Sequence, residues 1–206
     1  MNVFTLVVGP IYENCHVLYD DSADGGNRAI IVDPGADGSQ IIDALNRRGL
    51  APQAILLTHA HVDHIGAVPE LVRRYRIPVW VHPLDRPMYS SSANELMPYL
   101  PHVRNLPAPM AEGVPQVPGM PFCILHTPGH TPGSSCFHFA EAGICLTGDT
   151  LFCGGVGRTD LPGGSQSALE RSLREVLAPL PQNTVIYPGH GESSTIGNEL
   201  GANPEL

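Results

Sequence analysis

The sequence contains no lysine, so all 11 of its basic residues are arginines, against 20 acidic residues and a formal net charge of −9. Nucleic acid binding needs clustered positive charge, and this balance argues against nucleic acid as a partner. Any anionic group on a ligand must be held by arginine, by backbone amides or by a metal ion. A coding bias toward arginine is enough to explain the missing lysines, and the chemical consequence is the same.

Long apolar runs and paired cysteines are missing as well. No stretch approaches the roughly 20 apolar residues of a membrane-spanning helix, and the N-terminal segment lacks the basic flank of an export signal. The five cysteines form no CxxC pair and no zinc-finger spacing, which fits reduced thiols. We therefore expect a protein of the cytoplasm with no membrane partner, acting as a monomer or small homo-oligomer.

The 206 residues, 42% of them hydrophobic, suit one domain over residues 1–206. Short β-like runs alternate with helical ones. The predicted strands are 3–8, 15–19, 28–32, 54–57, 79–81, 122–126, 134–139, 143–147 and 184–187, with a turn at 24–27. The predicted helices are 38–48, the segment from Gly66 to about Tyr75, 167–178 and a short one after Ser193. The proline-rich segment 83–121, which includes Pro98 and Pro101, rules out a long helix and predicts a surface loop.

The densest chemical signal is His59-X-His61-X-Asp63-His64, directly after the apolar run 54–57. Imidazole and carboxylate groups suit zinc, iron or manganese, and four of them in one loop exceed what a single small ion needs there. His59 and His61 alternate and can converge on one ion. Asp63 and His64 turn into the next helix and can point to a second.

Three further groups, His130, Asp149 and His190, each follow a predicted strand. Strand ends on one edge of a sheet lie close in space, so these groups can join the loop in one pocket. Each taken alone would be a turn or capping residue, but their repeated placement beside the dense loop favours a two-metal site with a position left for water. The other histidines are predicted to be capping or core residues: His16, His82, His102, His126 and His138.

Together the motifs resemble those of the metallo-β-lactamase-fold hydrolases: Thr58–Gly66, Thr127-Pro128-Gly129-His130, Thr147-Gly148-Asp149-Thr150 and Pro188-Gly189-His190. The small glyoxalase II-like (hydroxyacylglutathione hydrolase-like) members are the more similar subgroup. That similarity rests on Glu13-Asn14-Cys15, on the segments 148–152 and 157–164, and on Asn203-Pro204-Glu205-Leu206. The resemblance implies an α/β (α+β) fold, a four-layer αββα sandwich with its site on one edge of the two sheets.

The resemblance also implies two divalent ions (Zn, Fe or Mn). His59, His61 and His130 would hold the first, Asp63, His64 and His190 the second, and Asp149 would bridge them with a water or hydroxide. Asp33 matches an acidic residue that supports a ligand histidine in this family, and a strand-terminating turn is an equal alternative. Arg158 either contacts substrate or pairs with Asp160, and we favour the pair. Full-length glyoxalase II adds a helical C-terminal domain that binds glutathione, and we expect no counterpart of it here.

We therefore hypothesise hydrolysis of a small-molecule acyl thioester by a metal-bridging hydroxide, with Asp63 orienting the water or accepting a proton. A thiolate of pKa ~8.5 leaves without a strong general acid, and neither a GxSxG motif nor a clear Cys-His pair is present. Three alternatives remain. They are a mononuclear-iron persulfide dioxygenase, which shares Gly157-Arg158-Thr159-Asp160, a hydrolase of lactones or other acyl bonds, and a metal-storage protein.

Overall fold

Two five-stranded β-sheets form the frame of the computed structural model, which describes residues 1–20, 26–96, 100 and 102–206. Part of the predicted turn at 24–27, and Pro98 and Pro101 of the proline-rich segment, lie outside the described residues. Within the described ranges, no helix has both the length and the apolar character needed to span a membrane.

The first sheet has the strand order β1-β2-β3-β4-β5. Its first three strands are antiparallel, and its last three are parallel. The strands are β1 (Asn2–Val8), β2 (Glu13–Asp20), β3 (Arg28–Val32), β4 (Ala51–Leu56) and β5 (Val79–Trp80). Parallel neighbours place the carboxyl ends of β3 and β4 at the same edge, and the predicted ligand loop leaves from that edge.

The second sheet contains β6 (Cys123–His126), β7 (Ser135–Phe139), β8 (Ile144–Gly148), β11 (Val185–Pro188) and β12 (Ser194–Thr195). Its order is β12-β11-β8-β7-β6, and β8 and β11 are its parallel pair. A separate hairpin of β9 (Leu151–Phe152) and β10 (Gly155–Val156) follows β8. These three two-residue strands, β9, β10 and β12, were not predicted because two residues show no periodicity.

Six α-helices are described: α1 (Gly38–Arg47), α2 (Val62–Ile65), α3 (Val68–Tyr75), α4 (Arg86–Tyr89), α5 (Gln166–Ser172, continued by a π turn at Leu173–Leu177) and α6 (Ile196–Ala202). Three short 3-10 turns lie at Pro83–Asp85, Ser92–Asn94 and Ala140–Ala142. The helix predicted to follow Gly66 is preceded by the one-turn helix α2, which holds Asp63 and His64.

Alternating side chains of the central strands explain the layers. In β3, Ile30 and Val32 pack between the two sheets against Phe137 and Leu146. Ile31 points the other way, into a cluster with α1 and α3. On the outer face of the second sheet, apolar residues of α5 and α6 pack against β7, β8 and β11. Helices therefore cover both outer faces of two stacked sheets, which confirms the four-layer αββα arrangement.

The proline-rich segment 83–121 departs from its predicted character. Its described part has no long helix, as predicted, but the prediction of a surface loop is wrong for several side chains. Asp85, Tyr89, Asn94 and Met120 are buried. Pro83 and Pro87 lie in the first positions of short helical turns, where a missing N–H costs nothing, so this part of the segment can still fold against the body.

Candidate metal centre

Four chain segments meet at one edge of the sandwich. The loop after β4 holds residues 58–64, and the turn between β6 and β7 holds His130. Asp149 and His190 follow the parallel strands β8 and β11. The Ser135 N–H donates to the Thr58 carbonyl at 2.9 Å and joins the two sheets there. The Gly189 N–H donates to the Gly148 carbonyl at 2.9 Å.

The first cluster consists of His59, His61 and His130, whose candidate ligand atoms all lie within 4.8 Å of one another. All three side chains are buried. Nδ1 of His61 lies 2.9 Å from Nε2 of His130. Two nitrogens bound to one tetrahedral zinc ion lie about 3.3 Å apart, so this spacing suits a shared cation.

Hydrogen bonds outside the first cluster fix the orientation of two of its rings. Nδ1 of His130 donates to the Arg158 carbonyl at 2.7 Å. Nδ1 of His59 lies 3.0 Å from Oγ1 of Thr58, and this hydroxyl donates to Asp33 at 2.6 Å, so it accepts from His59. Nε2 of each ring is then unprotonated, as a nitrogen that binds a metal ion must be.

The second cluster consists of Asp63, His64 and His190. Oδ2 of Asp63 lies 3.5 Å from Nε2 of His64 and 3.3 Å from Nε2 of His190. Nδ1 of His64 donates to Oδ2 of Asp33 at 3.0 Å, which leaves its Nε2 facing the cluster. Asp63 and His64 are consecutive residues of the one-turn helix α2.

Asp149 lies between the two clusters. Its Oδ1 is 3.4 Å from Nε2 of His64, and its Oδ2 is 3.5 Å from Nε2 of His130. One carboxylate therefore offers an oxygen to each cluster.

Several buried polar atoms of the site have no hydrogen-bond partner within the described part of the chain. They include Nε2 of His59, Nε2 of His64, Oδ1 of Asp63 and Oδ1 of Asp149. Buried polar groups without partners are rare because each costs the full desolvation penalty. Imidazole and carboxylate are the ligand types that zinc, iron and manganese accept. The residues present therefore fit divalent cations.

The charges of the site agree with this donor set. Burial, together with neighbouring histidines, lowers the pKa of His61 to about 3 and that of His59 well below its usual value. Both rings are therefore neutral, as metal ligands must be. For Asp149 and Asp63, burial raises the pKa, but His64 opposes it and the net pKa is lowered. Both carboxylates are therefore ionised.

Burial lowers the pKa of His64, but the negative charges of Asp63, Asp149 and Asp33 outweigh it and raise this pKa well above 6.5. The position of His64 therefore attracts positive charge, which a proton or a metal ion can supply. Asp33 itself ends β3 with a φ of 50° and contacts His64. This backbone conformation and this contact are compatible with both interpretations given for Asp33, and its support of a metal ligand stays a prediction.

Sequence reasoning missed the role of β2 in holding the site. Nδ2 of Asn14 donates to the carbonyls of Pro188 at 3.0 Å and Gly191 at 2.9 Å, so it brackets His190. Oε1 of the buried Glu13 lies 3.8 Å from Nδ1 of His64, and neither of its carboxylate oxygens has a hydrogen-bond partner among the described residues. Burial raises the pKa of Glu13 well above its usual value. The available signal was the pair of polar residues, Glu13 and Asn14, at the start of β2.

Arg158 pairs with Asp160 through Nε at 2.6 Å and Nη2 at 2.7 Å, and both side chains are exposed. Its side-chain charge is therefore balanced locally, while its carbonyl orients His130. The described clusters include none of the other histidines, although Nε2 of His16 donates to the Pro188 carbonyl at 2.9 Å and supports the His190 loop.

Comparison with known proteins gives a consistent result. A family model described as the metallo-beta-lactamase superfamily matches residues 8–190. The hydroxyacylglutathione hydrolase GloC of Haemophilus influenzae is 36% identical over 212 residues, covering 100% of this chain and 98% of that protein. The structure of BLEG-1 B3 metallo-beta-lactamase superposes with a TM-score of 0.89 and 36% identity, covering 98% of each chain. TTHA1623 in a di-iron-bound form gives a TM-score of 0.82 and 38% identity, covering 98% of this chain and 100% of that one.

Proposed function

The chain belongs to the metallo-β-lactamase superfamily, and from that premise we propose that it is a metallo-hydrolase of acyl thioesters with two divalent ions per chain. The observation that carries the proposal is the Asp149 carboxylate, which places one oxygen near each histidine cluster. The thioester is supported by the similarity to GloC along the whole chain. The di-iron form of TTHA1623 supports the number of ions.

We assign His59, His61 and His130 to the first ion and Asp63, His64 and His190 to the second, with Asp149 shared. Bound divalent ions supply Lewis-acid chemistry, since they lower the pKa of water and polarise a carbonyl group. Asp63 is the proton acceptor that the chain itself provides. Its Oδ2 faces His64 and His190, while its Oδ1 has no partner within the described part of the chain. The thiolate leaving group needs no strong general acid because thiol pKa values are ~8.5.

The cavity beside the first cluster bears on the thiol part of the substrate. Its volume is about 220 Å³, and its lining includes His61, Glu95, Leu96 and Leu161. The lining thus combines apolar and polar side chains, and its one carboxylate, that of Glu95, lies 3.6 Å from the ring of His102. No arginine is among the described residues that line the cavity, and Arg158 is paired with Asp160. A thiol part without net negative charge suits these surroundings better than glutathione, which carries two carboxylates and one ammonium group.

The similarity to BLEG-1 favours a second candidate function, the hydrolysis of another acyl bond such as that of a β-lactam. The metal site proposed above suits the hydrolysis of either substrate. The two candidate functions therefore differ in the leaving group that the protein accepts. The persulfide dioxygenase alternative requires a single iron, and the unsatisfied atoms of the second cluster argue for two ions.

Metal analysis of the purified protein, combined with four assays, tests the proposal. The substrates are S-D-lactoylglutathione, the lactoyl thioester of N-acetylcysteamine, a chromogenic β-lactam and glutathione persulfide. We expect two metal equivalents per chain and thioester hydrolysis that a chelator abolishes and added metal restores. One equivalent of iron with oxygen consumption on the persulfide would overturn the proposal. Turnover of the β-lactam alone would favour the second candidate.

A further inference from the structure

Asp85 is a fully buried carboxylate outside both clusters, with a relative exposure of 0%. It ends the 3-10 turn Pro83–Asp85 in the proline-rich segment. Carboxylates are almost never fully buried unless they are paired or hydrogen-bonded, because desolvating the charge is costly. The hydrogen-bond partners of Asp85 therefore indicate its role.

The partners of Asp85 come from two separate loops. Its Oδ2 accepts from the Thr131 hydroxyl at 2.7 Å, and its Oδ1 accepts from the Gly133 N–H at 2.6 Å. Burial raises the pKa of Asp85, whereas the Thr131 hydroxyl and the backbone N–H groups of Gly133 and Ala60, which face this carboxylate, oppose the rise. All three partners are donors, so an ionised carboxylate satisfies them without carrying a proton.

These contacts flank every residue of the first cluster. Ala60 lies between His59 and His61 in the sequence, and Thr131 directly follows His130. A single side chain therefore ties the loop that carries two of the histidines to the loop that carries the third. The 2.9 Å separation between His61 and His130 depends on how these loops sit against each other.

Gly133 shows that the loop is shaped around the carboxylate. A Cβ atom at this position would lie 2.6 Å from Cγ and Oδ1 of Asp85. Since real Cβ contacts are not that short, any other residue would push the carboxylate and the loop apart. Glycine here provides space for the side chain of Asp85.

The second cluster is held by other residues. Asp33 contacts His64, and Asn14 brackets His190 through the carbonyls of Pro188 and Gly191. The described contacts of Asp85 involve neither of these histidines. Asp33 also reaches His59 of the first cluster through Thr58, whereas Asp85 contacts only the loops of the first cluster, so removing Asp85 can affect one ion alone.

We propose that Asp85 is the positioning residue of the first metal site, where it holds the His59–His61 loop and the His130 loop at the separation that one cation requires. This inference rests on the two-cation site proposed above but not on the identity of the substrate. A residue with a merely structural role would weaken both metal sites, or the fold, to the same extent. Asp85 is expected to act on the first site only.

Zn²⁺ binding to chelator-treated protein tests the proposal in two backgrounds. His190→Ala keeps the first cluster and disables the second, and His61→Ala does the reverse. Asp85→Asn preserves the size of the side chain but turns one acceptor into a donor that faces donors. In the His190→Ala background we expect it to lower the Zn²⁺ affinity about 10- to 100-fold, the usual effect of removing support from a metal ligand. In the His61→Ala background we expect a change of less than about 3-fold.

Asn14→Ala is the matched control because it removes a support of the second cluster. We expect it to lower the Zn²⁺ affinity in the His61→Ala background and to leave it nearly unchanged in the His190→Ala background. Thr131→Val removes one hydroxyl donor and leaves the backbone contacts of Asp85. It therefore tests the link between Asp85 and the His130 loop if Asp85→Asn does not fold. It should give a smaller loss of Zn²⁺ affinity, confined to the first site.

Equal losses of Zn²⁺ affinity in both backgrounds would overturn the proposal. So would the absence of any loss in either background for both Asp85→Asn and Thr131→Val. Failure of the unmodified protein to bind two Zn²⁺ ions would instead refute the two-cation site, whatever substrate is cleaved.

Discussion

Oδ2 of Asp33 lies 3.0 Å from Nδ1 of His64, although the two residues are 31 positions apart in the sequence. The same carboxylate accepts from the N–H of Thr58 at 2.7 Å and from its hydroxyl at 2.6 Å. Through Thr58 it also fixes the ring of His59. One buried carboxylate therefore orients a histidine in each cluster.

Replacing Asp33 by asparagine should weaken metal binding at both clusters. The amide keeps the size of the side chain, but its NH₂ group cannot accept from His64 or Thr58. We expect the affinity for Zn²⁺ to fall about 10- to 100-fold, as measured by titration against a competing chelator. Asp43→Asn, at an exposed position of α1, is the control and should bind normally. Native affinity in the Asp33→Asn protein would show that this carboxylate does not support the ligands.

Alanine at His59 or at Asp149 should abolish metal-dependent hydrolysis, because each change removes a proposed ligand atom that has no hydrogen-bond partner within the described part of the chain. Circular dichroism should show that both variants remain folded, since both side chains lie at loop positions of the sheet edge. Rates with the lactoyl thioesters before and after chelator treatment give the measurement. If a metal-free variant retained full activity, the proposed mechanism would be wrong.

Glu95→Gln should change the preference for the thiol part of the substrate. Removing a negative charge from the cavity beside His61 is expected to raise kcat/KM for S-D-lactoylglutathione several-fold relative to the N-acetylcysteamine thioester. The effect should shrink as salt is added, because screening weakens interactions between exposed charges. Glu141→Gln is the control, since Glu141 lies in the 3-10 turn at the far end of β7. An unchanged ratio of the two kcat/KM values would remove Glu95 from the substrate site.

The sequence predicted the position of most strands and the convergence of the seven site residues, because both follow from short apolar runs and from polar residues at their ends. It could not predict Asp85. A single aspartate among prolines has the pattern of a turn, and its burial depends on contacts with Ala60, Thr131 and Gly133 that are distant in the chain. Glu13 and Asn14 were visible only as part of a motif, since the bonds to the His190 loop arise from the way β2 lies beside that loop.

Gly189→Ala should damage the metal centre without straining the backbone. A Cβ atom at position 189 would collide with Oδ1 of Asp149 and would lie 2.7 Å from Cε1 of His64. We expect loss of bound metal and a large loss of hydrolysis, with the secondary structure retained. Gly201→Ala is the matched control, because its Cβ would meet nothing within 4 Å and alanine favours the helix α6. Equal metal content in the two variants would contradict the geometry of the site.

His16 should make the stability of the protein depend on pH. Burial lowers the pKa of His16 to about 4, from an ordinary value of 6.5. Its neutral ring fits its partners, since Nε2 donates to the Pro188 carbonyl and Nδ1 can accept from the Thr5 hydroxyl. Between pH 6.5 and 4 the unfolded chain binds a proton that the folded chain does not. The stabilisation is therefore complete above pH 6.5 and is lost as the pH falls toward 4, by about 3 kcal/mol at most.

His16→Gln isolates this contribution, because an amide can donate to Pro188 and accept from Thr5 but does not titrate in this range. Urea unfolding of metal-free protein at pH 7, 6, 5 and 4 gives the free energy of unfolding of each form. Other buried histidines titrate in both proteins, so only the difference between them reports on His16. That difference should shift in favour of the glutamine variant as the pH falls. Parallel curves for the two proteins would mean that His16 keeps an ordinary pKa in the folded state.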